Sequence, residues 1–301
     1  MEIKMFFDKN TSTLTYVVFD KKNKDALIID PVLDYEPQSS TVKTESVDAV
    51  CYFIQKEKLQ PRYVLETHAH ADHLSGSQIL KKRYPSLLVA IGKNIIEVQK
   101  VFKKVFNLPQ NFPTDARQFD YLMQEEITLE VGNMKIKTFY TPGHTPACAT
   151  YQIGNAIFTG DALFMPDMGT GRCDFPGGSA IDLYNSVVKK IYTLADDTKV
   201  FVGHDYMPGG RELRYQSTVG EQKANNIQLP ASRSLEDFVK FRQERDATLN
   251  TPKLLFQSVQ VNVDAGNLPK PQENKISYLK IPINVFKPAN DKIKNVTLEN
   301  L

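Results

Sequence analysis

The chain has 301 residues, 41% hydrophobic and 24% charged, proportions that suit a large buried core and exclude disordered and fibrous classes. A net charge of +2 gives no general attraction to nucleic acid or to a membrane surface, and no apolar run approaches a membrane span. Cys51, Cys148 and Cys173 are widely spaced with no Cys-x-x-Cys pair, which argues against a disulfide framework. With no long apolar stretch among the first residues, a cytoplasmic protein is expected.

Strand-like runs come first, at 13–19 and 26–29, the second ending in Asp30-Pro31. Val47, Val50, Cys51 and Ile54 recur at helical spacing, and the apolar run Tyr63-Val64-Leu65 follows. Next come a helix over 75–84, a strand over 87–91 and a helix over about 94–106, before Pro109 and Pro113 mark a surface loop. The second half holds strands at 127–131 and 134–140 about Gly132-Asn133, and at 149–153 and 156–158 about Gly154-Asn155. A helix over 181–194 precedes a strand over 199–202. Ser234-Leu235-Glu236-Asp237 has the pattern of a capped helix start, with the helix reaching about Leu249. Two β-like runs, 256–263 and 276–281, close the chain. Mixed strands and helices in two similar halves predict an α/β protein of four layers, its two sheets facing each other between helices. One catalytic domain is expected over 1–250, with a C-terminal extension over 251–301 packed on it.

Thr67-His68-Ala69-His70-Ala71-Asp72-His73 places four potential metal ligands within six positions, between a predicted strand and a predicted helix. Loops at strand ends are where α/β folds place their chemistry. Imidazole with carboxylate suits zinc, iron or manganese better than calcium or magnesium. Histidines also cap helices or fill polar loops, but three of the five in the chain lie here. Three later residues share this placement after apolar runs, each beside glycine: His144 in Pro142-Gly143-His144, Asp161 in Gly160-Asp161 and His204 in Gly203-His204. Glycine permits close backbone approach. Any one of these could be a turn residue or a buried hydrogen-bonded side chain; together they predict one shared site.

The series His68-x-His70-x-Asp72-His73, then His144, Asp161 and His204, resembles the metallo-β-lactamase-fold superfamily over residues 10–210. The resemblance implies the αββα sandwich, with metal where the two sheets open at one edge. Within the superfamily, Gly169-Thr170-Gly171-Arg172-Cys173-Asp174-Phe175 is similar to the Gly-x-Gly-Arg-x-Asp-Phe stretch of persulfide dioxygenases, the family related to the ethylmalonic encephalopathy protein. The stretch from Pro208 to Glu221 is similar to stand-alone bacterial relatives labelled β-lactamase-like hydrolases.

That branch implies one Fe(II) per chain on His68, His144 and Asp161, with His70, Asp72, His73 and His204 orienting the ligands or ordering water. It further implies oxidation of glutathione persulfide, or a similar small persulfide, by O₂ to sulfite and thiol in sulfide detoxification, and a homodimer. The alternative is a glyoxalase II-like thioester hydrolase with two Zn or Fe ions, in which His70 joins the first site, Asp72, His73 and His204 form the second, and Asp161 bridges. A metal-dependent sensor or scaffold without activity is a third reading, disfavoured by the intact ligand set.

Arg172 is a candidate for a substrate carboxylate, or for holding its loop, against a plain salt bridge to Asp174. Tyr206 is a candidate hydrogen-bond donor to substrate, against simple packing. Cys173, beside Arg172, is either an activated thiol or an inert small residue.

Overall fold

A computed structural model describes residues 1–285. The first half runs β1 (Glu2–Asp8), β2 (Thr13–Phe19), β3 (Asp25–Ile29), β4 (Val32–Glu36), β5 (Thr41–Lys43), α1 (Glu45–Lys56), β6 (Gln60–Glu66), β7 (Leu74–Ser75), α2 (Ser77–Arg83), β8 (Leu88–Gly92), α3 (Ile95–Val105) and β9 (Tyr121–Met123). The second half runs β10 (Leu129–Val131), β11 (Met134–Tyr140), β12 (Ala149–Ile153), β13 (Ala156–Phe158), α4 (Ala180–Lys189), β14 (Lys199–Phe201), β15 (Gln216–Thr218), α5 (Val219–Asn225), α6 (Leu235–Thr248) and α7 (Leu255–Asn262).

One six-stranded sheet has the order β1-β2-β3-β6-β8-β9 and a second the order β10-β11-β12-β13-β14-β15. β4, β5 and β7 make a small third sheet. The strand β2 shows why the sandwich forms. All seven of its residues are buried, but they split between two cores. Leu14, Tyr16 and Val18 join Ile136, Tyr151 and Phe158 in the cluster between the sheets. Val17 and Phe19 join Val47, Val50, Cys51 and Ile54 of α1 in the cluster behind the first sheet. A strand covered on both faces reads as a continuous apolar run, as 13–19 does. The αββα fold is therefore present.

Two tyrosines tie the sheets together at the end that matters. Tyr16 on β2 donates its hydroxyl to the carbonyl of Val202, just past β14, at 2.7 Å. Tyr151 on β12 donates to the carbonyl of Glu66, the last residue of β6, at 2.7 Å. Each bond fixes the end of a strand in the opposite sheet, and both strands lead directly into histidine loops.

The sequence placed most elements within a few residues. Ser234 caps α6, its hydroxyl accepting from the Asp237 amide at 3.1 Å. The run 256–263 is a correction, because Leu255–Asn262 is the helix α7 and not a strand. Its Val-rich composition favours strand, but Leu255, Val259 and Val263 recur every four residues and join one buried cluster with Phe102 of α3. Residues 276–281 form no strand either. The part of the expected extension at 286–301 lies outside the described residues.

Candidate metal centre

All seven predicted ligands converge on the open edge between the sheets. His68, His70 and His73 follow β6, His144 follows β11, Asp161 follows β13 and His204 follows β14. Six of the seven are buried, and Asp72 is the one left partly open.

The local backbone explains two of the neighbouring glycines. Gly160 has φ +50°, and a Cβ there would lie 2.5 Å from the Thr67 hydroxyl oxygen. Gly143 has φ +143°, and a Cβ would lie 2.3 Å from Leu183 on α4. Both residues therefore permit close packing of the protein on itself behind the site.

His68, His144 and Asp161 form one group, with one ligand atom from each lying within 4.8 Å of the others. His68 Nδ1 is 3.0 Å from the Thr67 hydroxyl, which in turn donates to Asp30 at 2.8 Å. His144 Nδ1 donates to the carbonyl of Arg172 at 2.8 Å. Both rings are thus held by Nδ1, the arrangement that presents Nε2 to a metal and fixes the tautomer. His68 Nε2 and Asp161 Oδ1 are buried with no hydrogen-bond partner. Buried polar atoms without partners are costly, and a cation bound among them would satisfy both. The residues present therefore fit a metal ion.

His70, Asp72 and His73 form a second group. Asp72 Oδ2 accepts from Thr13 at 3.0 Å and lies 2.7 Å from His73 Nδ1. His204 Nε2 is 3.5 Å from Asp72 and 3.4 Å from Asp161 Oδ1. His70 Nε2 lies 3.0 Å from Asp30 and 3.5 Å from Glu66. Burial, reinforced by the neighbouring His70 and His144, holds His68 well below the usual imidazole range, so it is a neutral donor. Burial would also push His70 down, but the Asp30 and Glu66 carboxylates outweigh it and hold that imidazole well above its ordinary value. Asp72 is held well below the carboxylate range: burial opposes its ionisation, and His204 and His73 overcome that.

Asp30, Glu66, Thr13 and Thr67 were missed as site residues. Asp30 carried a signal of its own: like the ligands, it is a polar residue closing an apolar strand, and it adopts φ +48°. Glu66 is buried and receives bonds from the hydroxyls of Ser75 and Ser77. No pattern in the sequence marks Thr13.

Arg172 makes the salt bridge to Asp174 at 2.5 Å through two nitrogens and donates its third to the carbonyl of Asn250 at 2.6 Å. Tyr206 is 47% exposed and stacks on His204, ring centroids 5.6 Å apart. Burial pushes the Cys173 thiol up to about 12, outweighing the nearby cation Arg242, so the inert alternative fits this residue. Phe175 of the same stretch packs between His144, at 6.0 Å, and Phe102, at 5.2 Å.

Residues 9–204 match the model of the metallo-β-lactamase superfamily. The chain belongs to that superfamily. A Dictyostelium discoideum protein named glyoxylase B2 is 44% identical over 95% of this chain and 98% of its own length. The human mitochondrial persulfide dioxygenase ETHE1 is 31% identical over 83% of this chain and 82% of its own length. Among solved structures, ETHE1 from Myxococcus xanthus matches with a TM-score of 0.71 at 30% identity, covering 89% of this chain and all of that one. The superfamily fold binds metal, and the His/Asp groups described here could hold a metal ion. Among the described residues no helix is long and apolar enough to cross a membrane.

Proposed function

We propose that this metallo-β-lactamase superfamily chain is an iron(II)-dependent dioxygenase for a small persulfide, with glutathione persulfide its substrate. The observation that carries the reading is the group His68, His144 and Asp161, in which His68 Nε2 and Asp161 Oδ1 are buried without a hydrogen-bond partner, whereas Asp72 is already bonded to His73. Two imidazoles and one carboxylate suit non-haem iron; His68, His144 and Asp161 would hold the ion, which would supply activation of O₂ and of the terminal sulfur. The balanced reaction takes persulfide, O₂ and one water to thiol, sulfite and two protons. Similarity to the human persulfide dioxygenase supports this choice of substrate.

The chain's own residues do the rest. Thr67 and the Arg172 carbonyl fix the two imidazoles. His70, Asp72, His73 and His204 line the neighbouring ground and orient ligands or water. Arg172, engaged by Asp174 and Asn250, holds the loop that carries that carbonyl. Tyr206, exposed beside His204, is the side chain placed to meet substrate.

One observation favours a second reading, a two-metal hydrolase. Asp161 turns Oδ2 toward His144 at 3.5 Å and Oδ1 toward His204 at 3.4 Å, as a bridging carboxylate would. Similarity to glyoxylase B2 points the same way. Metal content after purification without air, paired with O₂ uptake on glutathione persulfide, separates the two. One iron per chain with stoichiometric O₂ uptake and sulfite supports the dioxygenase. Two metals and thioester cleavage without O₂ uptake would replace it.

A further inference from the structure

We infer that Asp246, held by Arg242, is a positioning residue for His144, acting through the single peptide plane between Arg172 and Cys173. The inference rests on the proposal that His144 is a metal ligand.

The carbonyl of Arg172 accepts from His144 Nδ1 at 2.8 Å. The N–H of Cys173 belongs to the same peptide unit and donates to Asp246 Oδ2 at 2.8 Å. A peptide unit is planar, so fixing the N–H fixes the direction of the C=O. An anion on the N–H side also polarises the unit and strengthens the carbonyl as an acceptor. Asp246 is therefore linked to an imidazole that it does not touch.

The support behind Asp246 is built for this. Arg242 is only 1% exposed, among the largest fully buried side chains. One of its terminal nitrogens bonds Asp246 Oδ1, and the other donates to Gln228 Oε1 at 2.8 Å. The same Gln228 oxygen accepts from the Thr170 amide at 3.1 Å, and its nitrogen donates to the Met168 carbonyl at 2.7 Å. Gly171 N–H donates to the carbonyl of Asp161 at 3.1 Å. One buried cation on α6 thus braces both ends of the segment 168–173, which meets two of the three proposed ligands. Buried ion pairs are poor stabilisers relative to apolar replacements, so stability alone is a weak reason for this one.

The test pairs Arg242→Met with Asp246→Leu, an apolar exchange close to neutral for folding. Co(II) binding is measured by its visible spectrum, alongside the ¹⁵N signal of His144 Nδ1–H and melting of the metal-free protein. The apolar pair is expected to fold, to bind Co(II) roughly 10- to 100-fold more weakly, the usual cost of losing a ligand's outer partner, and to broaden or lose the Nδ1–H signal. A second pair, Arg242→Gln with Asp246→Asn, keeps an oxygen for Cys173 N–H and is expected to retain most of the affinity.

Unchanged affinity and an unchanged Nδ1–H signal in the apolar pair would overturn the inference, as would equal losses in both pairs. His144→Ala is the control: if it binds Co(II) as wild type does, the ligand assignment fails and the inference with it. If His144→Ala weakens binding and the apolar pair does not, the positioning role alone falls.

Discussion

The side-chain amide of Asn262 donates to the main-chain carbonyl of His73 at 2.8 Å, joining positions 189 apart in sequence. The same amide donates to the carbonyl of His70 at 2.8 Å, and its oxygen accepts from Ser75 N–H at 2.8 Å. One residue on α7, in the expected C-terminal extension, therefore clamps the loop that carries three of the candidate ligand histidines. Asn262→Ala leaves buried backbone groups without partners, at about 1–3 kcal/mol for each group left unsatisfied. The expected outcome is a lower melting temperature together with weaker metal binding, read by thermal denaturation with and without metal.

Under the one-metal reading, the two ligand groups respond differently to deletion. His68→Ala and Asp161→Ala each lose bound iron and turnover. His73→Ala retains about one iron per chain, because an ordering group is lost and not a ligand. Metal analysis of the three variants checks this, and a drop from two ions to one in His73→Ala would favour the hydrolase.

The loop after His204 depends on Asp205, which is fully buried. Arg211 grips it through two nitrogens, at 2.7 and 2.8 Å, and also pairs with Asp167. Arg211→Met leaves the buried carboxylate with only the backbone N–H groups of Arg214 and Met207 as partners, and loss of one partner of such a pair costs about 3 kcal/mol. Urea unfolding measures it, and Arg211→Met combined with Asp205→Leu is expected to recover much of the loss.

Burial lifts the Asp264 carboxyl from the ordinary 3.8 to about 6, with a hydrogen bond from Gln118 and the charge of Lys270 pulling partly back. The folded state thus holds this proton more tightly than the unfolded state. As pH rises through the window between those values, the unfolded chain ionises first and stability falls; above it the penalty is constant. Asp264→Asn is expected to melt higher than wild type at pH 8, with the difference shrinking toward pH 4. An equal difference at both pH values would refute the assignment.

The ligands were legible because metal chemistry restricts residue types. Histidine and aspartate after strands, clustered at 68–73 and beside glycine at 144, 161 and 204, form a local pattern, and the strands announce themselves by their apolar runs. The helix α7 was misread for the opposite reason: valines favour a strand locally, and only the packing of Leu255, Val259 and Val263 against α3 selects the helix.

The sequence by itself determined the α/β layers, the superfamily and the seven candidate ligands, all carried by patterns a few residues long. Tertiary structure alone decided which groups hold those ligands. Asn262 reaches His73 across 189 positions, and Asp246 reaches the Cys173 amide across 73. Such partners are selected by where a buried backbone group, carbonyl or N–H, lacks a partner, a condition that exists only once the sheets have closed and water has left.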